Sequence, residues 1–216
     1  AAASPPPAAA ATPAAAGAAS LAGGATSVGP AFLSQVEAEI VAELNLARSA
    51  PSEYAAFLRE YRSYIRGKLY EQPGKIAISL NEGAKAVDEA IAFLEKQKPL
   101  GVLTASKGMS RAAKDLAAEQ GRTGATGHSS ADGSSPFDRM ERYGDWKRTA
   151  GENCAYGGET GREIVIQLIV DDGVPSRGHR ANIFNPDFAV VGVAVGPHPG
   201  YRVVCVQDFA GGYSDK

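Results

Sequence analysis

The feature that most constrains the fold is a pair of valine-rich segments near the C-terminus. Residues 188–195 and 201–209 are rich in valine, which favours strands. They are joined by Gly196-Pro197-His198-Pro199-Gly200, and glycine and proline are typical of turns. The sequence therefore predicts a β-hairpin over residues 188–209, with His198 exposed to solvent in the turn.

The segments before this hairpin predict mainly helices. Ser34 and Glu37 have the spacing of a capping box ahead of an apolar stripe that ends near Arg48, and Thr160 and Glu163 have the same spacing ahead of a second stripe. The remaining predicted elements are helices over 52–64, 82–97 (capped by Asn81), 107–120, 136–143 and 164–170, a loop over 121–133 and a strand over 150–156. Helices followed by late strands indicate an α+β fold with an antiparallel sheet covered by helices.

Residues 1–30 differ from the rest of the chain. They hold no charged or aromatic residue and consist of small residues and proline, with one leucine and one valine. Such a segment buries too little apolar area to offset the entropy of ordering it. We expect a disordered tail over 1–30 and a single globular domain over 31–216.

The same tract bears on localisation. Prolines interrupt it, and no run of about 18 large apolar residues occurs anywhere, so no membrane span is predicted. An alanine-rich end without methionine is compatible with a cleaved secretory signal and with a trimmed chain. We expect a secreted or extracellular protein, with an intracellular component of a larger assembly as the alternative.

Charge and cysteine content exclude two further classes. With 22 basic and 24 acidic residues the net charge is −2, which gives no global field for binding nucleic acid. Two cysteines cannot form a disulfide mini-scaffold. Cys154 and Cys205 both lie in predicted strands, so a disulfide between adjacent strands and two buried free thiols are both compatible with the sequence.

Two of the three histidines are candidates for a metal site. His128 lies in the Gly/Ser-rich loop, and His179 lies between the apolar helix and the hairpin. Neutral imidazoles and carboxylates are the usual ligands of zinc and similar ions. The carboxylate candidates are Glu152 and either Asp171 or Asp172. No compact motif such as H-E-x-x-H occurs, so spacing alone favours structural histidines over metal ligands.

Several ordered motifs together resemble the CAP superfamily, the cysteine-rich secretory, antigen 5 and pathogenesis-related 1 proteins, also called SCP domains. The main motifs are G-E-N at 151–153 and G-H-R-A-N-I-F-N-P-D-F at 178–188, supported by L-N-x-x-R at 44–48 and Q-D-F at 207–209. The form G-H-R-x-N-I resembles the bacterial and protist branch. The resemblance covers residues 37–209, with inserted helices around 54–97.

The resemblance implies an α-β-α sandwich with a small antiparallel sheet and helices on both faces. It also implies a central cleft in which two histidines and two acidic residues converge and bind a divalent cation, often zinc. By position these are His128, Glu152, Asp172 and His179, with Asp171 as the alternative to Asp172. The two histidines would be the principal metal ligands.

Three functions are compatible with this set of site residues. The preferred one is a non-catalytic module that binds a small apolar ligand or a protein partner in the cleft. The first alternative is a metal-dependent, protease-like hydrolase, in which Glu152 acts as general base on a metal-bound water. The second is a structural component of a larger assembly, which predicts an apolar patch on the helix over 54–64.

Overall fold

The computed structural model describes residues 29–216, so the predicted tail lies, apart from its last two residues, outside the described residues. Within that range the helices are α1 (Gln35–Ser49), α2 (Pro51–Ser63), α3 (Ala84–Lys96), α4 (Lys107–Thr123), α5 (Pro136–Tyr143), α6 (Gly161–Val170) and α7 (Gly178–Ile183). The strands are β1 (Ile65–Arg66), β2 (Leu69–Tyr70), β3 (Ile78–Ser79), β4 (Thr104–Ala105), β5 (Gly144–Trp146), β6 (Ala150–Tyr156), β7 (Val190–His198), β8 (Arg202–Ala210) and β9 (Tyr213–Asp215). None of the described helices is long and apolar enough to cross a membrane.

The central sheet has four strands in the order β4-β7-β8-β6. The predicted hairpin is the antiparallel pair β7 and β8, and β6 pairs antiparallel with β8. The two-residue β4 pairs parallel with β7 at the opposite edge. The sheet is thus antiparallel except at that edge, and β6 is the outer strand on the other side.

The hairpin differs from the prediction at its turn. Its strands continue through Gly196 and Pro197, so His198 pairs with Arg202. His198 is only 3% exposed, and its Nε2 lies 3.0 Å from the carbonyl oxygen of Ala125. The prediction that His198 is exposed is wrong, because the strand pairing extends past the first of the two prolines and places the ring against the loop after α4.

Side-chain alternation in the sheet produces two cores. Val191, Val193 and Cys205 join a core with α1, α3 and α6 on one face. Cys154 and Val206 pack against α4 on the other face. Helices therefore cover both faces, and the α-β-α sandwich is confirmed.

Side-chain caps begin four of the described helices. The predicted capping boxes of α1 and α6 are both formed. The start of α3 differs, because Gly83, with φ of 64°, precedes the helix, and Asn81 instead donates its backbone N–H to Asp172. The predicted Asn81 cap is therefore wrong. Helix α4 continues to Thr123, so the first three residues of the predicted loop are helical.

The two cysteines are free and buried. Cys154 lies opposite Val206, and Cys205 lies opposite Ala155. Successive residues of a strand point to opposite faces, so this register places the two side chains on opposite sides of the sheet. Of the two alternatives left by the sequence, the structure has the free thiols and not the disulfide.

Candidate functional site

The candidate site is a cleft of about 260 Å³ beside the outer strand β6. On one side lies the loop between α4 and α5, which carries His128, and on the other lies α7, which carries His179 near its start. The residues lining the cleft are His128, Glu152, Val174, Ser176, Gly178, His179 and Asn182. Both predicted histidines and Glu152 therefore line one cleft.

Glu152 holds the first histidine. Its Oε1 lies 2.8 Å from Nδ1 of His128. The Glu152 side chain is 1% exposed, whereas the His128 ring is 44% exposed. A buried carboxylate thus orients an accessible imidazole, which is the arrangement that fixes the tautomer and direction of a metal-ligating histidine.

Arg139 of α5 completes this half of the site. It is fully buried and donates from Nη2 to Oε2 of Glu152 at 2.6 Å and to the carbonyl oxygen of His128 at 3.0 Å. Its Nη1 donates to Oγ of Ser130 and to the carbonyl oxygen of Ser134, each at 3.1 Å. One guanidinium therefore ties the loop 128–134 to the strand that carries Glu152.

Asp171 holds the second histidine. Its Oδ1 lies 2.6 Å from Nδ1 of His179, and its Oδ2 accepts the backbone N–H of His179 at 2.9 Å. Asp171 ends α6 in the left-handed conformation, with φ of 56°. It is 3% exposed, so this half repeats the pairing of a buried carboxylate with an imidazole.

Asp172, the expected fourth member of the tetrad, does not face the histidines. Its Oδ2 accepts the backbone N–H of Asn81 at 2.6 Å, and its Oδ1 accepts that of Glu82 at 2.8 Å. The left-handed turn at Asp171 makes the two successive carboxylates diverge, one toward His179 and the other toward the segment before α3. Of the two aspartates, Asp171 therefore lies beside His179, and the expectation that Asp172 does so is wrong.

Two asparagines join α7 to the strand. The side-chain amide of Asn153 donates to the carbonyl oxygen of His179 at 3.1 Å. Asn182 donates to the side-chain oxygen of Asn153 at 2.8 Å and to the carbonyl oxygen of Glu152 at 3.3 Å. These bonds fix the position of His179 relative to Glu152.

The two imidazoles share one chemical feature. Each uses Nδ1 to bind a buried carboxylate, and in the described part of the chain neither Nε2 makes a hydrogen bond. A neutral ring whose Nδ1–H is donated to a carboxylate carries its lone pair on Nε2. The arrangement can therefore offer two neutral nitrogen donors to an electrophile or a cation in the cleft.

Two further groups adjoin Glu152. Asp208 lies directly opposite it across the strands and is fully buried. Burial, and then the charge of Glu152, raise the pKa of Asp208 well above its usual range. The Cys154 thiol lies 3.6 Å from Nδ1 of His128, and burial followed by the Glu152 charge raises its pKa as well. Both groups thus favour their neutral forms.

Arg139, Asp208 and the position of Cys154 beside His128 were not predicted as parts of the site. The signal for Asp208 was its place in a valine-rich strand, because aspartate is rare in strands. Arg139 gave none, because its partners come from a loop and a strand that only the folded chain brings together.

The residues whose ligand atoms lie close together differ in part from the predicted metal ligands. His128, Glu152 and Cys154 are the His, Cys, Asp or Glu residues, among those described, that form a group with ligand atoms within 4.8 Å of one another. His179 is not in that group, and it meets the others only across the cleft.

Comparison with known proteins agrees with this architecture. The family described as "Cysteine-rich secretory protein family" (CAP) matches residues 43–209. The uncharacterized protein YkwD of Bacillus subtilis (strain 168) is 44% identical over 66 residues, which are 31% of this chain and 24% of that protein. The chain therefore spans about a quarter of the length of that relative.

Two solved structures are also similar. An outer surface protein from Borrelia burgdorferi is 21% identical, with a TM-score of 0.44 over 54% of this chain and 80% of that one. An extracellular protein containing a SCP domain from Bacillus anthracis str. Ames is 20% identical, with a TM-score of 0.43 over 59% of this chain and 37% of that one. Since the family match spans most of the chain and contains both histidines of the cleft, this protein belongs to the CAP superfamily.

Proposed function

We propose that this CAP domain is a binding module whose cleft holds a divalent cation, with zinc the expected ion, between His128 and His179. One observation carries the proposal: two imidazoles line the same cleft, and each is oriented through Nδ1 by a buried carboxylate. Histidines that ligate a metal commonly have this outer carboxylate.

The donor set fits an open site. Two neutral nitrogens suit zinc and similar ions, and a site with only two protein ligands keeps coordination positions for an outside ligand. Glu152 is already shared with Arg139, so part of its charge is compensated within the protein. Glu152 therefore does not fully neutralise the charge of a bound ion. The remaining positive charge would attract an oxygen donor from the partner.

The lining of the cleft favours a polar partner group. Ser176, Asn182 and the two histidines contribute most of the side chains, and Val174 is the aliphatic contribution among the lining residues. This composition suits a carbonyl or carboxylate group of a protein partner better than a wholly apolar small ligand. We therefore narrow the expected ligand to a protein segment that presents an oxygen to the ion.

The hydrolase alternative asks Glu152 to act as general base. A general base must reach the water that it deprotonates. Glu152 is 1% exposed as a side chain, and its two oxygens are engaged by His128 and Arg139. This geometry favours binding over hydrolysis.

The third function, a structural component, predicted an apolar patch on α2. The apolar side chains of α2 instead pack inward, with Tyr54 and Leu58 buried and Phe57 and Tyr61 against the same core.

The expected extracellular location remains part of the proposal, and fractionation of cells that express the full-length protein tests it.

Calorimetric titration of the full chain with zinc chloride at neutral pH tests the proposed site. We expect binding to the wild type, its loss in His128→Ala and its weakening in His179→Ala. The two adjacent aspartates provide matched variants: Asp171→Asn should weaken binding, because it removes the carboxylate that orients His179, whereas Asp172→Asn should leave it unchanged. Absence of zinc binding, or loss in Asp172→Asn with retention in Asp171→Asn, would overturn the proposal.

A further inference from the structure

A thiol stands beside the histidine-carboxylate pair on the side away from Nε2. Sγ of Cys154 lies 3.6 Å from Nδ1 of His128 and 3.7 Å from Oε1 of Glu152, and those two atoms are 2.8 Å apart. We propose that Cys154, His128 and Glu152 form a second site, for a thiophilic metal ion, which goes beyond the proposed function and needs no contribution from His179.

The spacing of the three atoms fits a metal ion. A point equidistant from them lies about 2.0 Å from each atom, and bonds from zinc to nitrogen, oxygen and sulfur are about 2.0–2.3 Å long. An ion slightly above the plane of the three atoms therefore reaches normal bond lengths. Only the separation of nitrogen and oxygen must widen, and the two distances to sulfur already suit neighbouring ligands.

The surroundings leave these ligand atoms available. Arg139 binds Oε2 of Glu152, whereas Oε1 is bound by His128, and this hydrogen bond is replaced when the ion binds between the two atoms. The thiol and the carboxylate are buried, and the His128 side chain, which is 44% exposed, is the most accessible member of the group. The fourth coordination position remains for water or an outside ligand.

Binding requires one proton to leave. The Cys154 thiol releases its proton to solvent when sulfur bonds to the ion. The proton on Nδ1 of His128 moves to Nε2 of the same ring, so the ring stays neutral and donates the Nδ1 lone pair.

This movement makes the two sites exclusive. With its proton on Nε2, His128 has no lone pair to offer an ion in the cleft, so occupation of the thiol site removes one ligand of the site shared with His179. Thiolate sulfur favours soft ions such as Cu(I) and also binds zinc, which imidazole binds as well. The two sites therefore compete for the same ions.

Titration of the reduced full chain with Co²⁺, without oxygen, tests the thiol site, because a thiolate bound to cobalt gives a charge-transfer absorption in the near ultraviolet. We expect this band in the wild type and in His179→Ala, and its loss in Cys154→Ser and His128→Ala. Cys205→Ser is the matched control, since that thiol is buried on the other face of the sheet, and it should keep the band.

The two proposals fail separately. Zinc calorimetry on Cys154→Ser, which lacks the thiol ligand, reports the two-histidine site, and adding His179→Ala should abolish the binding that remains. Cobalt X-ray absorption on His179→Ala, which lacks the competing site, should show one sulfur ligand. No charge-transfer band in reduced His179→Ala, a band that persists in Cys154→Ser, or a cobalt shell without sulfur in His179→Ala would each overturn the thiol site.

Discussion

Replacing Arg139 by methionine should destabilise the domain strongly, because the guanidinium is fully buried and holds Glu152 at 2.6 Å. Removing one partner of a buried ion pair costs about 3–5 kcal/mol, since the other charge stays buried. The carbonyl groups of His128 and Ser134 also lose a donor. A domain of this size shifts by roughly 2–4 °C in Tm per kcal/mol, so the expected fall is roughly 6–20 °C.

Arg142, one turn later on α5, provides the matched control. Its side chain is 42% exposed and pairs with acidic groups at the surface, so Arg142→Met should cost only about 0–1 kcal/mol. Urea unfolding followed by circular dichroism measures both variants. In the double variant Arg139→Met with Glu152→Gln, the neutral amide removes the unpaired charge, and part of the loss should be recovered. Equal losses in the two arginine variants, or no recovery in the double variant, would refute this account.

Two further predictions concern residues in the same sheet. A Cβ at Gly192 would lie 2.2 Å from the backbone carbonyl carbon of Met109, so Gly192→Ala should push α4 off the sheet and cost about 1–3 kcal/mol in urea unfolding. Gly196→Ala, whose nearest contact is 3.7 Å, should stay within about 0.5 kcal/mol, and a similar loss in both would contradict the packing argument. The pKa of Asp208 is raised in the folded chain above its ordinary value of 3.8, so its stabilising contribution is complete below that pH and is lost as pH rises through the folded pKa. The wild type should therefore lose stability relative to Asp208→Asn as the pH rises from the ordinary aspartate range to neutral, and a difference in unfolding free energy that does not change with pH would contradict this.

The fold was predictable where short segments determine it. The boxes at Ser34 and Thr160 need only residues three positions apart, and the hairpin needs only its own two strands. His198 and Asn81 were misplaced because their partners, Ala125 and Asp172, lie far away in the sequence. No local pattern contains that information.

The sequence predicted which residue types and which regions form the site. It did not predict which atoms contact each other. The resemblance located both histidines and Glu152 correctly in one cleft. The choice between Asp171 and Asp172 depended on which residue takes the left-handed conformation at the end of α6, and either aspartate can adopt it. The partners of Arg139 likewise depend on how a loop packs against a strand.

Alternation along β6 explains why one short motif organises both halves of the cleft. Glu152 and Cys154 point toward α4, where Glu152 holds His128. Asn153 lies between them and points to the opposite face, where it holds the carbonyl of His179. A shift of register by one residue would exchange these contacts and separate both histidines from their supports. The order Glu-Asn-Cys on an edge strand is therefore the feature that brings two distant segments of the chain to one site.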